Sequence, residues 1–237
     1  MANRVLISNG GYSEIPLINV SKEMGYYTIV CGNNEDAPGN GLADKYVRCD
    51  YSDPASVRSI ASSYGVAGIC SSCSDYAYLA AGQVCNDLGL PGYDDMAKIR
   101  VIHNKNEFRK FARSIGIPAP WFYEFHSLNE VEQLSGITFP CLVKPVDAFG
   151  GIGITKCLHR DDLIRAAAEA FHSSRINRIL VEEVIDGTDH GYSSLVAGNK
   201  VVFSFCDNEY HDYYEYAVSA VCFPSDVPES SIHSLTE

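Results

Sequence analysis

Short apolar runs alternate with stretches of helical period through the first 92 residues. Val5–Ile7 is a short apolar strand that runs into Gly10-Gly11. A helical stretch with Ile15, Ile18 and Met24 as its apolar positions follows, then a strand over Tyr27–Cys31. A third strand is expected over Lys45–Cys49 and a fourth over Val66–Cys70, with an alanine-rich helix over 75–88. Between the last two strands Asp53 stands as an N-cap and Pro54 in the first turn of a helix. Val57, Ile60, Ala61 and Tyr64 give that helix its apolar face. Strands and helices alternating at this length predict a parallel, doubly wound sheet. Residues 94–117 read as mainly helical, with Asn104 and Glu107 in capping-box spacing and Phe108, Phe111, Ala112 and Ile115 as the buried stripe.

The pattern then changes. Ser127 and Glu130 open a further helix, Phe139–Val143 is an apolar strand, and Leu163, Ala166, Ala167, Ala170 and Phe171 mark another helix. Ile179–Val181 is a strand entering Glu182-Glu183. Beyond 192 the chain reads as antiparallel, with Ser193–Ala197 and Lys200–Cys206 flanking a Gly198-Asn199 turn. Tyr216–Phe223 is a further strand, and 229–237 the opening turns of a helix.

Charge narrows the function. With 18 basic and 30 acidic residues the formal net charge is −12, a field that repels nucleic acid and anionic membranes. No apolar run reaches the roughly 18 residues of a membrane span. The short apolar segment at the N-terminus suits a first strand better than a signal peptide. Nine cysteines, odd in number and scattered, read as reduced thiols of a cytoplasmic protein.

The densest chemistry lies at 140–153. A strand delivers Lys144, locked by Pro145, and Gly150, Gly151 and Gly153 follow within ten residues. A strand-anchored cation beside a loop of accessible backbone N–H groups suits a polyphosphate. Asp147 at the head of the loop must point away from phosphate or meet a metal. With Asn104-Lys105 opening a helix before Gly-Ile-Pro-Ala-Pro, and Leu180 to Asp189 forming a strand end and loop, the chain resembles the ATP-grasp superfamily.

That resemblance implies an α/β fold in four parts. A Rossmann-like parallel-sheet pre-ATP-grasp domain (1–92) and a helical connector (93–118) come first. An α+β lid subdomain (119–183) and the start of an antiparallel C-terminal lobe (184–237), incomplete here, follow. Lys105 and Lys144 would neutralise phosphate charge, and Gly150, Gly151 and Gly153 would let backbone approach the phosphates. Glu182 would accept from the adenine amino group, with Glu183, Val184 and Ile185 forming the hinge beside the ring. Asp189 would hold the ribose hydroxyls. The implied reaction is an ATP-dependent ligation in which a small carboxylate becomes an acyl phosphate that an amine or other nucleophile attacks, with Mg²⁺ bridging phosphates. No catalytic side chain and no metal ligand is singled out. The Glu-x-Asn that holds magnesium in the family is not found after 189, and about a hundred residues are expected to be missing. An apolar face left bare by their strands favours a homodimer. The alternative is a non-catalytic fragment that binds ATP or a partner.

Three other features carry alternative readings. Asn9-Gly10-Gly11 suggests a dinucleotide site, but G-x-G-x-x-G is absent and Cys31-Gly32-Asn33 supplies no ribose acid. Cys70 and Cys73 form a lone CxxC, read as a turn or buried pair rather than a redox or zinc site. Asn208–Tyr216, with its acids, tyrosines and His211, reads as a solvated loop that would otherwise line a substrate pocket, and His190 as a surface residue.

Overall fold

The computed structural model describes residues 3–71, 73–213 and 215–234. The chain divides into two compact units, Met1–Phe108 and Arg109–Glu237.

The first unit carries β1 (Arg4–Ser8), α1 (Ile15–Glu23), β2 (Tyr27–Gly32), β3 (Lys45–Arg48), α2 (Pro54–Tyr64), β4 (Gly68–Cys70), α3 (Asp75–Leu88) and α4 (Met96–His103). Its sheet has the order β3-β2-β1-β4, and every pairing is parallel. Parallel strands need a crossover between them: α1 supplies it from β1 to β2 and α2 from β3 to β4, while β2 and β3 are joined by 33–44 with only a short 3-10 turn. Alternation along the strands divides the core. Leu6, Ile29 and Cys31 pack with Val57, Ile60 and Val84, whereas Ile7 and Val30 pack with Ile18. Full burial of each such side chain is worth about 1.5–3 kcal/mol. The expected cap of α2 is present: Asp53 accepts from the N–H groups of Ala55 and Ser56, with Pro54 next in line. Met24 lies past the end of α1 and is exposed, so the helix is held by Ile18 instead.

Residues 94–117 are mainly helical, as expected, and form two helices that meet at Asn104. Asn104, with φ −91° and ψ 116°, ends α4 in an extended conformation, and α5 (Lys105–Ser114) starts at the next residue. The expected apolar stripe of α5 is corrected. Asn106 and Ala112 are buried and Arg109 half-buried, whereas Phe108, Phe111 and Ile115 are exposed. Spacing of three puts Asn106, Arg109 and Ala112 on one face, and an ion pair made by Arg109 selects it.

The second unit holds β5 (Phe122–Phe125), α6 (Leu128–Gln133), β6 (Cys141–Pro145), β7 (Thr155–Cys157), α7 (Arg160–Ser173) and β8 (Ile179–Glu183). These strands form an antiparallel sheet of order β5-β8-β6-β7. Ser127 caps α6, and Glu130 reaches back to the His126 N–H. A second antiparallel sheet, β11-β10-β9, is built from β9 (His190–Ala197), β10 (Lys200–Tyr210) and β11 (Ala220–Cys222). The turn between β9 and β10 has φ 57° at Gly198 and 59° at Asn199, the left-handed pair that a tight hairpin needs. The strand expected over Tyr216–Phe223 shrinks to β11, because Glu215 and Tyr216 are drawn into a turn. Leu195, Val196, Val202 and Phe203 stand exposed on the outer part of the hairpin. The expected final helix is present as α8 (Glu229–Ser234), and 235–237 lie outside the described residues. No helix among the described residues is long and apolar enough to cross a membrane.

Candidate functional site

The sheet of the second unit has two unlike faces. Cys141 and Val143 of β6 and Ile179 and Val181 of β8 turn to one side and pack with Val131 of α6 and Leu163, Ala166 and Ala170 of α7. The period of two in a strand places the next residues, Lys144 and Glu182, on the other side. There α5 contributes a basic row. Arg109 meets Glu182, Lys110 meets Glu124 at 3.1 Å, and the Arg113 guanidinium lies 4.6 Å from the centre of the Phe122 ring.

Lys144 and Glu182 are the centre of this face. Lys144 is 8% exposed and Glu182 3%. In the ladder Lys144 lies opposite Leu180, so Glu182 is its diagonal neighbour, and the Lys144 ammonium pairs with Glu182 Oε1. Arg109 Nε approaches Glu182 Oε2 to 3.4 Å, yet neither atom has a hydrogen-bond partner among the described residues. A buried carboxylate oxygen in that condition is costly unless a donor arrives. Burial pushes Lys144 below the ordinary lysine range; Glu182 opposes that shift and the Arg109 cation adds to it. The lysine is therefore a desolvated cation held in place, not a mobile surface side chain.

The glycine loop starts directly after Pro145. Val146, Asp147 and Ala148 are buried, whereas Gly150 and Ile152 are exposed, so the loop has a packed base and an open tip. Gly151, at φ 78°, has no room for a side chain: a Cβ there would lie 2.5 Å from the Tyr216 carbonyl oxygen. Among the described residues the N–H groups of Gly150, Gly151 and Gly153 carry no hydrogen bond. Asp147 does point away, as its place ahead of the glycines requires. Its carboxylate accepts from the Ser174 hydroxyl at 2.6 Å and from the N–H groups of Arg175 and Ile176 at 2.9 and 3.2 Å.

The segment after Glu183 leaves the end of β8. Glu183 closes the ladder, its N–H bonded to the Trp121 carbonyl at 3.0 Å and its carboxylate accepting from the Trp121 N–H at 3.2 Å. Val184 and Ile185 follow outside the ladder, half-buried and exposed respectively. Asp189 is 71% exposed in its side chain, with Oδ2 3.4 Å from His211 Nε2. It borders a cavity of about 540 Å³ lined also by His190, Asn208, Glu209 and His211. Of the 208–216 run, Asn208 to His211 line this cavity, whereas Asp212, Tyr213 and Glu215 are exposed as a solvated loop would be; Tyr214 lies outside the described residues. His190 is likewise no free surface group, since its ring bonds Thr188 Oγ1 at 2.7 Å and Ser225 Oγ at 3.3 Å.

The second unit thus brings Lys144 and Glu182 into contact. Gly150, Gly151 and Gly153 lie on one adjoining loop, and Glu183, Val184, Ile185 and Asp189 on the segment leaving β8. Lys105 belongs to the first unit, where it opens α5 and is half-buried. Sequence reading passed over Arg109 and placed His211 in a solvated loop, with a pocket wall as the alternative. The signal for the first was the basic row Arg109, Lys110 and Arg113 on a helix, and for the second an acid-rich segment ending in a histidine. Among the described residues no three His, Cys, Asp or Glu side chains gather as a metal site, so no metal ligand is assigned, at Cys70 and Cys73 or elsewhere.

The family described as D-ala D-ala ligase C-terminus matches residues 111–234, more than half of the chain. The chain belongs to the ATP-grasp superfamily. Like other ATP-grasp proteins it has relatives with several activities. A D-alanine–D-alanine ligase of Geobacillus thermodenitrificans is 32% identical over 115 residues, which are 45% of this chain and 30% of the ligase. The L-amino acid ligase structure from Bacillus licheniformis superposes with TM-score 0.73 at 20% identity, over 98% of this chain and 57% of that one. The biotin carboxylase domain of the Hydrogenobacter thermophilus 2-oxoglutarate carboxylase, a dimer in complex with MgADP, gives TM-score 0.80 at 19% identity, over 99% and 56%. This ATP-grasp chain therefore spans less than two thirds of each of these proteins.

Proposed function

We propose that this chain is the nucleotide-binding part of an ATP-dependent ligase that joins a carboxylate to an amine or another nucleophile. The carrying observation is the buried Lys144–Glu182 pair at the root of a loop whose glycine amides carry no hydrogen bond among the described residues. A fixed cation and a row of N–H groups together suit the phosphates. Glu182 Oε2, buried and lacking a donor, suits the adenine amino group. The backbone of Glu183, Val184 and Ile185, free of the ladder beyond Glu183, would read the ring edge, and Asp189 the ribose hydroxyls. Lys105 would add a second cation for the phosphates.

ATP in this reading supplies the phosphoryl group that turns the carboxylate into an acyl phosphate, and Mg²⁺ accompanies the phosphates. The residues of this chain bind and orient. Lys144 neutralises phosphate charge, the loop limits water at the phosphates, and Glu182 keeps Lys144 in place. The parallel-sheet unit would serve as the pre-ATP-grasp domain, and self-association over the exposed hairpin of β9 and β10 would give a homodimer.

Ligand-induced thermal shift tests the reading. ATP with magnesium should raise the melting temperature in a saturable way, and GTP, which presents a carbonyl where adenine has its amino group, should do so less. No shift with ATP in a folded chain, or an equal shift with GTP, would overturn it.

A further inference from the structure

The base of the glycine loop is bound to the segment that follows α7, and the loop's negative residue does the binding. Asp147 is buried. One of its oxygens takes the Ser174 hydroxyl, and the other takes the N–H groups of Arg175 and Ile176. Ser174 closes α7, and its Oγ also accepts from the Arg178 N–H at 3.0 Å. Successive N–H groups of this kind form a small anion-binding nest, filled here by a carboxylate from the chain itself. Next to it, Val146 N–H bonds the Arg178 carbonyl at 3.0 Å. The far end of the loop packs on the same platform. A Cβ at Gly153 would lie 3.0 Å from Ser173 Cβ and 3.0 Å from Pro145 Cγ. Entry and exit are therefore both fixed on residues 173–178, whereas the tip around Gly150 to Ile152 lies off that platform, with Gly151 close to the Tyr216 carbonyl.

We infer that Asp147 is a positioning residue for the nucleotide phosphates: it anchors the base of the glycine loop on the 174–176 segment and so holds the loop amides ready. The inference rests on the nucleotide reading above for its ligand, but the anchoring itself does not. Asp147 acts through the loop backbone. Its negative charge is directed at the Ser174 hydroxyl and the Arg175 and Ile176 N–H groups, which also lessens the repulsion an aspartate would otherwise direct at phosphate.

Two measurements on the 237-residue chain test this. The first is hydrogen exchange of the 148–153 amides without nucleotide, in wild type and in Asp147→Ala, Ser174→Ala and Asp147→Asn. Exchange should speed up about tenfold or more in Asp147→Ala, less in Ser174→Ala, and stay within about threefold in Asp147→Asn, which keeps the shape and one acceptor oxygen for the Arg175 and Ile176 N–H groups while its NH2 donates to the Ser174 hydroxyl oxygen. The second is calorimetric affinity for ATP and for adenosine. Asp147→Ala should weaken ATP about tenfold and adenosine less than about twofold, with Asp147→Asn restoring ATP. Unchanged exchange in Asp147→Ala, or equal weakening of ATP and adenosine, overturns the proposal. If wild type binds neither ligand, the nucleotide reading fails, and the exchange series still decides the anchor. Should Asp147→Ala not fold, Ser174→Ala against Asp147→Asn decides it in the same way.

Discussion

Two glycine loops in this chain look alike in sequence and differ in what their acids do. At the end of β1, Asn9-Gly10-Gly11 is followed by Glu14, which is buried and accepts the Gly11 N–H at 2.6 Å. That loop has filled its own anion site. Its space is also taken, since a Cβ at Gly10 would fall 2.1 Å from Asn40 Oδ1. In the second unit the corresponding acid, Asp147, turns outward to Ser174, Arg175 and Ile176 and leaves the glycine amides open. Lys144 lies buried at its root. The lesson is that glycines supply only the freedom of the backbone; the direction of the neighbouring carboxylate decides whether a loop can take a phosphate.

The comparison breaks most readily at Lys144. Lys144→Ala leaves Glu182 buried beside Arg109 alone, and urea unfolding should show a loss of about 3–5 kcal/mol. A loss below about 1 kcal/mol would mean that the pair is not desolvated in solution. Next come matched substitutions in the two loops. Gly151→Ala, strained at φ 78° and blocked by Tyr216, should weaken ATP about tenfold or more. Gly10→Ala should cost about 1–3 kcal/mol of stability and leave ATP affinity unchanged. Equal effects on ATP would erase the distinction between the loops.

A pH series sharpens it further. Burial lowers the folded-state pKa of Lys144, so the folded chain releases that proton before the unfolded chain does. Between that lowered value and the ordinary lysine value of about 10.4, stability relative to Lys144→Met should rise with pH, because the cost of a buried ammonium disappears. ATP affinity should fall about tenfold over the same window as the cation is lost. The two trends have opposite sign, and a common sign would contradict the assignment. The smallest effect is expected at Glu14→Ala, about 1 kcal/mol in thermal or urea unfolding with no change in ATP binding.

Much of this was legible before the structure. The parallel sheet announced itself because short apolar strands such as Val5–Ile7 alternate with stretches of helical period. Asp53, Ser127 and the Gly198-Asn199 turn carried local chemistry that needs no tertiary partner. Lys144 and the glycines were found because strand, cation and loop are contiguous in sequence. What stayed hidden depends on distant partners. The buried face of α5 contains Arg109 because Glu182 offers an ion pair 73 residues on, which an apolar stripe cannot reveal. The turn at Glu215-Tyr216 shortens a strand that its aromatic content had favoured. His211 gained its place from Asp189, and Asp147 its direction from residues beyond α7.

The most direct test of the central claim is a calorimetric titration of the chain with Mg-ATP, run beside Lys144→Ala at a temperature where circular dichroism shows both folded. The account predicts saturable binding by wild type and a loss of at least about a hundredfold in the variant, or about 2.7 kcal/mol. Equal binding by the two proteins, or none by a folded wild type, would contradict it.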